Sequence, residues 1–178
     1  MAWALPSTAA RRLRGLFAAS LLALSGAAPA QPSEAAVKAA FLGKFPAYVG
    51  WPAESRPAAG EPIILCLIGG DPFGKLIDDA VRGQQIDRHP IQVKRIPHPD
   101  DGAGCALAFV AGASTIEAMK GKPVLTVTDS RSSAQRGMIH FVVDQGRVRF
   151  HIDQAAAVRS RLAINSRLLA LALTVKKD

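Results

Sequence analysis

Gly137-Met138-Ile139-His140-Phe141-Val142-Val143-Asp144-Gln145-Gly146-Arg147-Val148-Arg149-Phe150-His151-Ile152-Asp153 is the stretch that decides the fold. Two alternating runs of apolar and polar residues flank one turn signal, the pattern of a β-hairpin. If Gln145-Gly146 is a two-residue turn, Val143 faces Val148, Phe141 faces Phe150 and Ile139 faces Ile152, and one face is wholly apolar. The other face then carries Asp144 opposite Arg147, Val142 opposite Arg149 and His140 opposite His151. A three-residue loop would set Ile139, Phe141 and Val143 across from Arg147, Arg149 and His151. A slip of one residue sends every side chain to the opposite face, so the apolar match selects the two-residue turn. Gly146 suits the positive φ this turn needs; Gln145 is a less usual partner than Asn or Asp.

Downstream, Asp153 can cap a short helix, and Asn165 can cap a final helix whose apolar face is Leu168, Leu169, Leu171, Ala172 and Val175. Upstream, Ser33 can cap a helix to about Phe45, with Val37, Phe41 and Phe45 at i, i+4 spacing and Pro46 ending it. Ile63 to Ile68 is uninterrupted and apolar, like a strand buried on both faces. Asp71 as N-cap and Pro72 at the first helical position open a helix to about Val81, with Leu76, Ile77 and Ala80 inward. Pro90 to Ile96 alternates. Cys105 to Val110 and Val124 to Val127 are further buried strands around a short helix at Thr115 to Lys120. Strand and helix alternate through the middle of the chain. The expected class is therefore α/β: a single domain with a largely parallel or mixed central sheet, flanking helices, and a C-terminal β-hairpin plus helix.

The first 30 residues read as a cleavable signal peptide. Arg11, Arg12 and Arg14 form a basic start, Leu16 to Leu24 is too short for a comfortable membrane span, and Ala28-Pro29-Ala30 fits the small-x-small cleavage pattern. This marks the chain for export and leaves residues 31–178 as the folded domain. Removing three arginines from 22 basic residues, against 14 acidic ones, leaves a mature net charge of +5. The basic residues are scattered with little aromatic interleaving, which argues against nucleic acid as a partner. Cys66 and Cys105 are the only cysteines; an even count in an exported chain points to a disulfide, with two buried free thiols as the alternative. Closing that loop of 39 residues would stabilise by roughly 4 kcal/mol.

Candidate chemistry is sparse. His140, Arg149 and His151, with Arg147 on the same face, make a small cationic patch that could meet a carboxylate, a phosphate or a protein partner. A solvated polar strand face is the plainer reading. His140 and His151 lack an evident third ligand, so no metal site is assigned. Gly69-Gly70-Asp71-Pro72 has no phosphate-loop pattern, and Asp71 would repel phosphate. Ser130, Ser132 and Ser133 lie near Asp129, but no nucleophile elbow frames them. No catalytic residue and no cofactor is assigned.

Taken in order, Val37-Lys38-Ala39-Ala40-Phe41-Leu42, Phe45 with Trp51-Pro52, Ile64-Leu65-Cys66 with Gly69 and Asp71-Pro72-Phe73-Gly74, Gly104-Cys105, Pro123 to Val127 with Asp129, and Gly137 to Ala172 resemble the YfiR family of exported bacterial proteins. Gly43-Lys44, where the family usually has Tyr-Asn, Pro46 after Phe45, and Arg136 before Gly137, where a second Gly is common, depart from its pattern. The resemblance implies regulation rather than catalysis. The family's namesake is a periplasmic repressor of a membrane diguanylate cyclase, YfiN, and is relieved by an outer-membrane lipoprotein, YfiB; similar domains accompany sensor kinases. The implied partners are thus the periplasmic domain of a YfiN-like cyclase and a YfiB-like lipoprotein, with a homodimer also open. The alternative is a periplasmic small-ligand sensor module working with a sensor kinase.

Overall fold

The computed structural model describes Met1 and residues 31–98, 102–112, 115–133 and 135–178. Apart from Met1, the expected signal peptide lies outside the described residues, as does the centre of the loop expected at 97–104. Residues 32–178 form one compact unit. Its elements in order are α1 (Glu34–Lys44), β1 (Val49–Gly50), β2 (Ile63–Ile68), α2 (Lys75–Val81), β3 (Gln85–Ile86), β4 (His89–Ile96), β5 (Leu107–Val110), α3 (Thr115–Ala118), β6 (Leu125–Asp129), β7 (Ile139–Asp144), β8 (Arg147–Asp153), α4 (Gln154–Arg159), β9 (Ala163–Ile164), α5 (Ser166–Leu169) and β10 (Thr174–Lys176).

Eight strands form one mixed sheet in the order β10-β8-β7-β6-β5-β2-β4-β3. Its centre, β4-β2-β5-β6-β7, is parallel throughout. A separate pair, β1 with β9, ties the residues after α1 to those after α4. The hairpin takes the register selected by its apolar face: Ile139 opposite Ile152, Phe141 opposite Phe150, Val143 opposite Val148. Gln145 and Gly146 both have positive φ (47° and 73°), as a two-residue hairpin turn of primed type requires.

The main core lies on the face covered by α1 and α2, where Leu65, Leu67, Leu107, Phe109, Leu125, Val127, Ile139, Phe141, Phe150 and Ile152 meet Ala39, Leu42 and Ile77. Ser33 caps α1 by accepting from the Ala36 N–H. Phe41 and Phe45 of this segment enclose the hairpin's Phe141 and Phe150, with ring centroids 5.5–6.1 Å apart. Such pairs add to the burial energy itself. The helix stops before Pro46, which sits inside a 3-10 turn at Phe45–Tyr48. At Gly43 an added Cβ would lie 3.4 Å from both the Ala80 carbonyl and a Val81 methyl. The departure from the family pattern at this position therefore sits where α1 and α2 approach each other closely.

The opposite face carries a smaller core of Cys66, Ile68, Cys105, Ala108, Val110, Ile116, Met119 and Val124. Cys66 and Cys105 are bonded there, with Cα atoms 5.9 Å apart.

Two helices differ from expectation. α2 begins at Lys75, not beside Asp71, because Asp71 Oδ1 accepts from the Phe73 and Gly74 N–H groups and closes a turn instead. Phe73 turns inward onto Phe109, and Leu76, expected to face inward, is 39% exposed. The expected final helix shortens to the single turn of α5, capped by Asn165, after which the chain pairs as β10 beside β8. β8 would otherwise be an edge with unpaired backbone groups, and β-branched Thr174 and Val175 suit a strand. Tertiary pairing thus overrides the helical preference of the leucine run. Leu168 is buried, but Leu171 and Leu173 are left exposed.

Candidate functional site

His140, Arg149 and His151 project from the sheet face opposite the main core, together with Arg147, because all occupy the alternate positions of the hairpin. They form a line rather than one cluster. Arg147 stands beside the turn, opposite Asp144, and four residues of strand, about 13 Å, separate it from His151. The line also grades in exposure: Arg147 is exposed, Arg149 and His151 are half-buried, and His140 is buried.

His140 Nδ1 lies 2.8 Å from Thr128 Oγ1. That hydroxyl accepts from the Gly137 N–H, which leaves its own proton for the imidazole. Burial pushes the His140 pKa below its ordinary value, with the positive Arg136 and His151 adding to the effect and Asp129 opposing it. His151 is lowered too, by burial and then by Arg136. Its Nδ1 lies 2.7 Å from Thr174 Oγ1 across the β8–β10 pair. The Thr128–His140 contact does not form an accessible nucleophile and base: Thr128 is fully buried and its oxygen anchors the backbone entering β7. Gly137 is needed at that entry, because an added Cβ would lie 2.7 Å from the Thr126 carbonyl oxygen.

A second polar constellation escaped the sequence reading. Lys38, on the inner side of α1, is 3% exposed, and its Nζ lies 2.5 Å from Asp129 Oδ2 at the end of β6. It also pairs with Glu34, one helical turn earlier, which in turn meets Arg131 at 2.8 Å. Asp129 Oδ1 accepts from the Arg131 N–H at 3.0 Å. A buried charge must be paired, and here lysine and aspartate neutralise each other while joining helix to sheet. A sequence signal existed, since Lys38 breaks the apolar side of α1 and Asp129 ends an apolar strand. Only the fold places them together, 91 positions apart.

Between β2 and β5 the strand order reverses, the usual ligand crevice of such sheets. Here the following loops are pressed together: a Cβ on Gly69 would lie 2.2 Å from the Ala111 carbonyl oxygen. Among the described residues no group of three or more His, Cys, Asp or Glu is placed to hold a metal ion. No described helix is long and apolar enough to cross a membrane.

These features define a class: an α/β domain with a disulfide-tied sheet, whose charged groups brace helix to sheet and whose hairpin is ordered by packing. The chain belongs to the YfiR/HmsC-like family, whose sequence profile matches residues 35–173, from α1 to the approach of β10. That family is regulatory and non-catalytic, and membership points to a periplasmic regulator in cyclic-di-GMP signalling. A search of curated proteins returns no match.

Proposed function

We propose that this protein is exported to the periplasm and represses an inner-membrane diguanylate cyclase of the YfiN type by direct binding, lowering cyclic-di-GMP. An outer-membrane lipoprotein of the YfiB type would relieve the repression. The observation that carries this reading is the family match over residues 35–173. The signal-peptide pattern of residues 1–30 supports it from the sequence.

The contact surface we assign is the side of the molecule where Arg147, Arg149 and His151 of the hairpin, with His140 buried behind them, adjoin the edge strand β10. Leu171 and Leu173 are exposed in the approach to that edge, and Val158 of α4 is 63% exposed. Apolar residues beside a basic rim suit a protein partner better than a solvated surface. Control need not be strong: a preference of about 1–3 kcal/mol for the inactive state of the cyclase shifts its balance roughly 5–150-fold.

Deleting the gene should raise cellular cyclic-di-GMP and promote biofilm growth. Residues 31–178 behind any functional signal peptide should reverse this, and the same residues without one should not. Unchanged cyclic-di-GMP in the deletion strain, with the protein normally expressed, would refute the reading.

A further inference from the structure

A crevice of about 540 Å³ opens on the sheet face opposite the main core, between the turn after α3, the residues entering β7 and the outer side of α4. Ile116 and Met138 reach its floor with a small remainder of exposed surface, over the fully buried Met119. Lys120, Arg136 and Arg159 stand at its mouth. Lys120 pairs with Glu117 at 2.6 Å, whereas neither Arg136 nor Arg159 has a carboxylate partner among the described residues. One carboxylate lines the crevice, that of Asp153. It is already engaged, with Oδ1 accepting from the Ala156 N–H at 2.7 Å and Oδ2 3.8 Å from Lys176 Nζ. Positive charge is therefore in excess on this side of the molecule. Burial is the larger cause of the lowered pKa of His140 and His151, and Arg136 adds to it at both.

We propose that this crevice binds a small amphipathic anion, a phosphate- or carboxylate-bearing molecule whose head lies between Arg136 and Arg159 and whose apolar body rests against Ile116, Met138 and the aliphatic stems of the arginines. Guanidinium groups match both head groups through paired N–H donors, and methionine adapts to apolar bodies of varied shape. A concave, largely apolar pocket with a few convergent polar groups is the usual form of a small-molecule site. This site does not rest on the cyclase reading, and its test uses the purified protein alone.

Exported protein should be titrated at low ionic strength with benzyl phosphate, phenylacetate, inorganic phosphate and benzyl alcohol, by calorimetry and by NMR of the histidine rings. The expected result is one-to-one binding of benzyl phosphate or phenylacetate, the tighter of the two naming the head group. Inorganic phosphate should bind more weakly and benzyl alcohol not at all. Binding should raise the pKa values of His140 and His151. The exposed pair Arg136→Ala with Arg159→Ala should weaken binding by about tenfold or more, equivalent to about 1.4 kcal/mol, while circular dichroism stays unchanged. Arg149→Ala should leave binding intact. The inference is overturned if neither organic anion shows saturable binding with a Kd of about 1 mM or tighter, or if the double variant binds as well as the parent. Inorganic phosphate matching benzyl phosphate, or loss of binding in Arg149→Ala alone, would also overturn it.

Discussion

Lys38→Ala removes the cation that compensates the buried carboxylate of Asp129. The Asp129 carboxylate would keep one donor among the described residues, the Arg131 backbone N–H, while remaining 8% exposed at its side chain. Stripping one member of a buried pair costs about 3–5 kcal/mol, because the other charge stays desolvated. Asp129→Ala should fall at the lower end, about 3 kcal/mol, since Lys38 would still reach Glu34, which is 29% exposed. Replacing both residues with apolar ones, Lys38→Met with Asp129→Leu, removes the desolvation penalty along with the attraction. The double variant should therefore lie within about 1–2 kcal/mol of the parent, far from the sum of the single losses. Urea unfolding can be followed by fluorescence: Trp51 is the single tryptophan of residues 31–178, and its indole N–H donates to the Ala106 carbonyl at 3.2 Å. If both single variants lose less than about 1 kcal/mol, as an exposed pair would, the placement of Lys38 inside the protein is wrong.

The hairpin's two faces should separate in mutants: Phe150→Ala should cost about 3–5 kcal/mol in urea unfolding, whereas Arg149→Ala should change stability by no more than about 0.5 kcal/mol. Equal losses would contradict the register. Cys66→Ser with Cys105→Ser should lower stability by about 2–5 kcal/mol, and thiol titration of the denatured, unreduced parent should find no free thiol; two free thiols would rule out the bridge. His140 has a pKa lowered by folding, so the unfolded chain binds its proton first as pH falls. Its contribution is complete above the ordinary value of 6.5 and is lost as pH drops from there toward the lower folded value. His140→Gln should flatten the pH dependence of stability in that window, and an unchanged pH profile would show that His140 is not held neutral.

The sequence by itself determined the hairpin register, because alternation has a period of two and only one pairing keeps Ile139, Phe141, Phe150 and Ile152 on a common face. It also determined the buried character of β2, β5 and β6, through apolar runs that no solvated strand could carry, and the caps at Ser33, Asp153 and Asn165, which are local hydrogen bonds. Tertiary structure decided what depends on distant neighbours. The leucine run after Asn165 is helical by local preference, and it yields to a strand because the edge of β8 offers backbone partners that a helix would leave unsatisfied. The inward side of α1 is set by the sheet beneath it, so Lys38 is buried although its spacing beside Val37 and Phe41 gives no hint of a carboxylate 91 positions away. The crevice at Arg136 and Arg159 is likewise invisible in sequence. Its cations come from separate segments and become a site only where the turn after α3, the entry to β7 and α4 converge. Local rules fix which residues pair within a hairpin or a helix cap; the meeting of distant charges is set by chain topology, which no short-range period encodes.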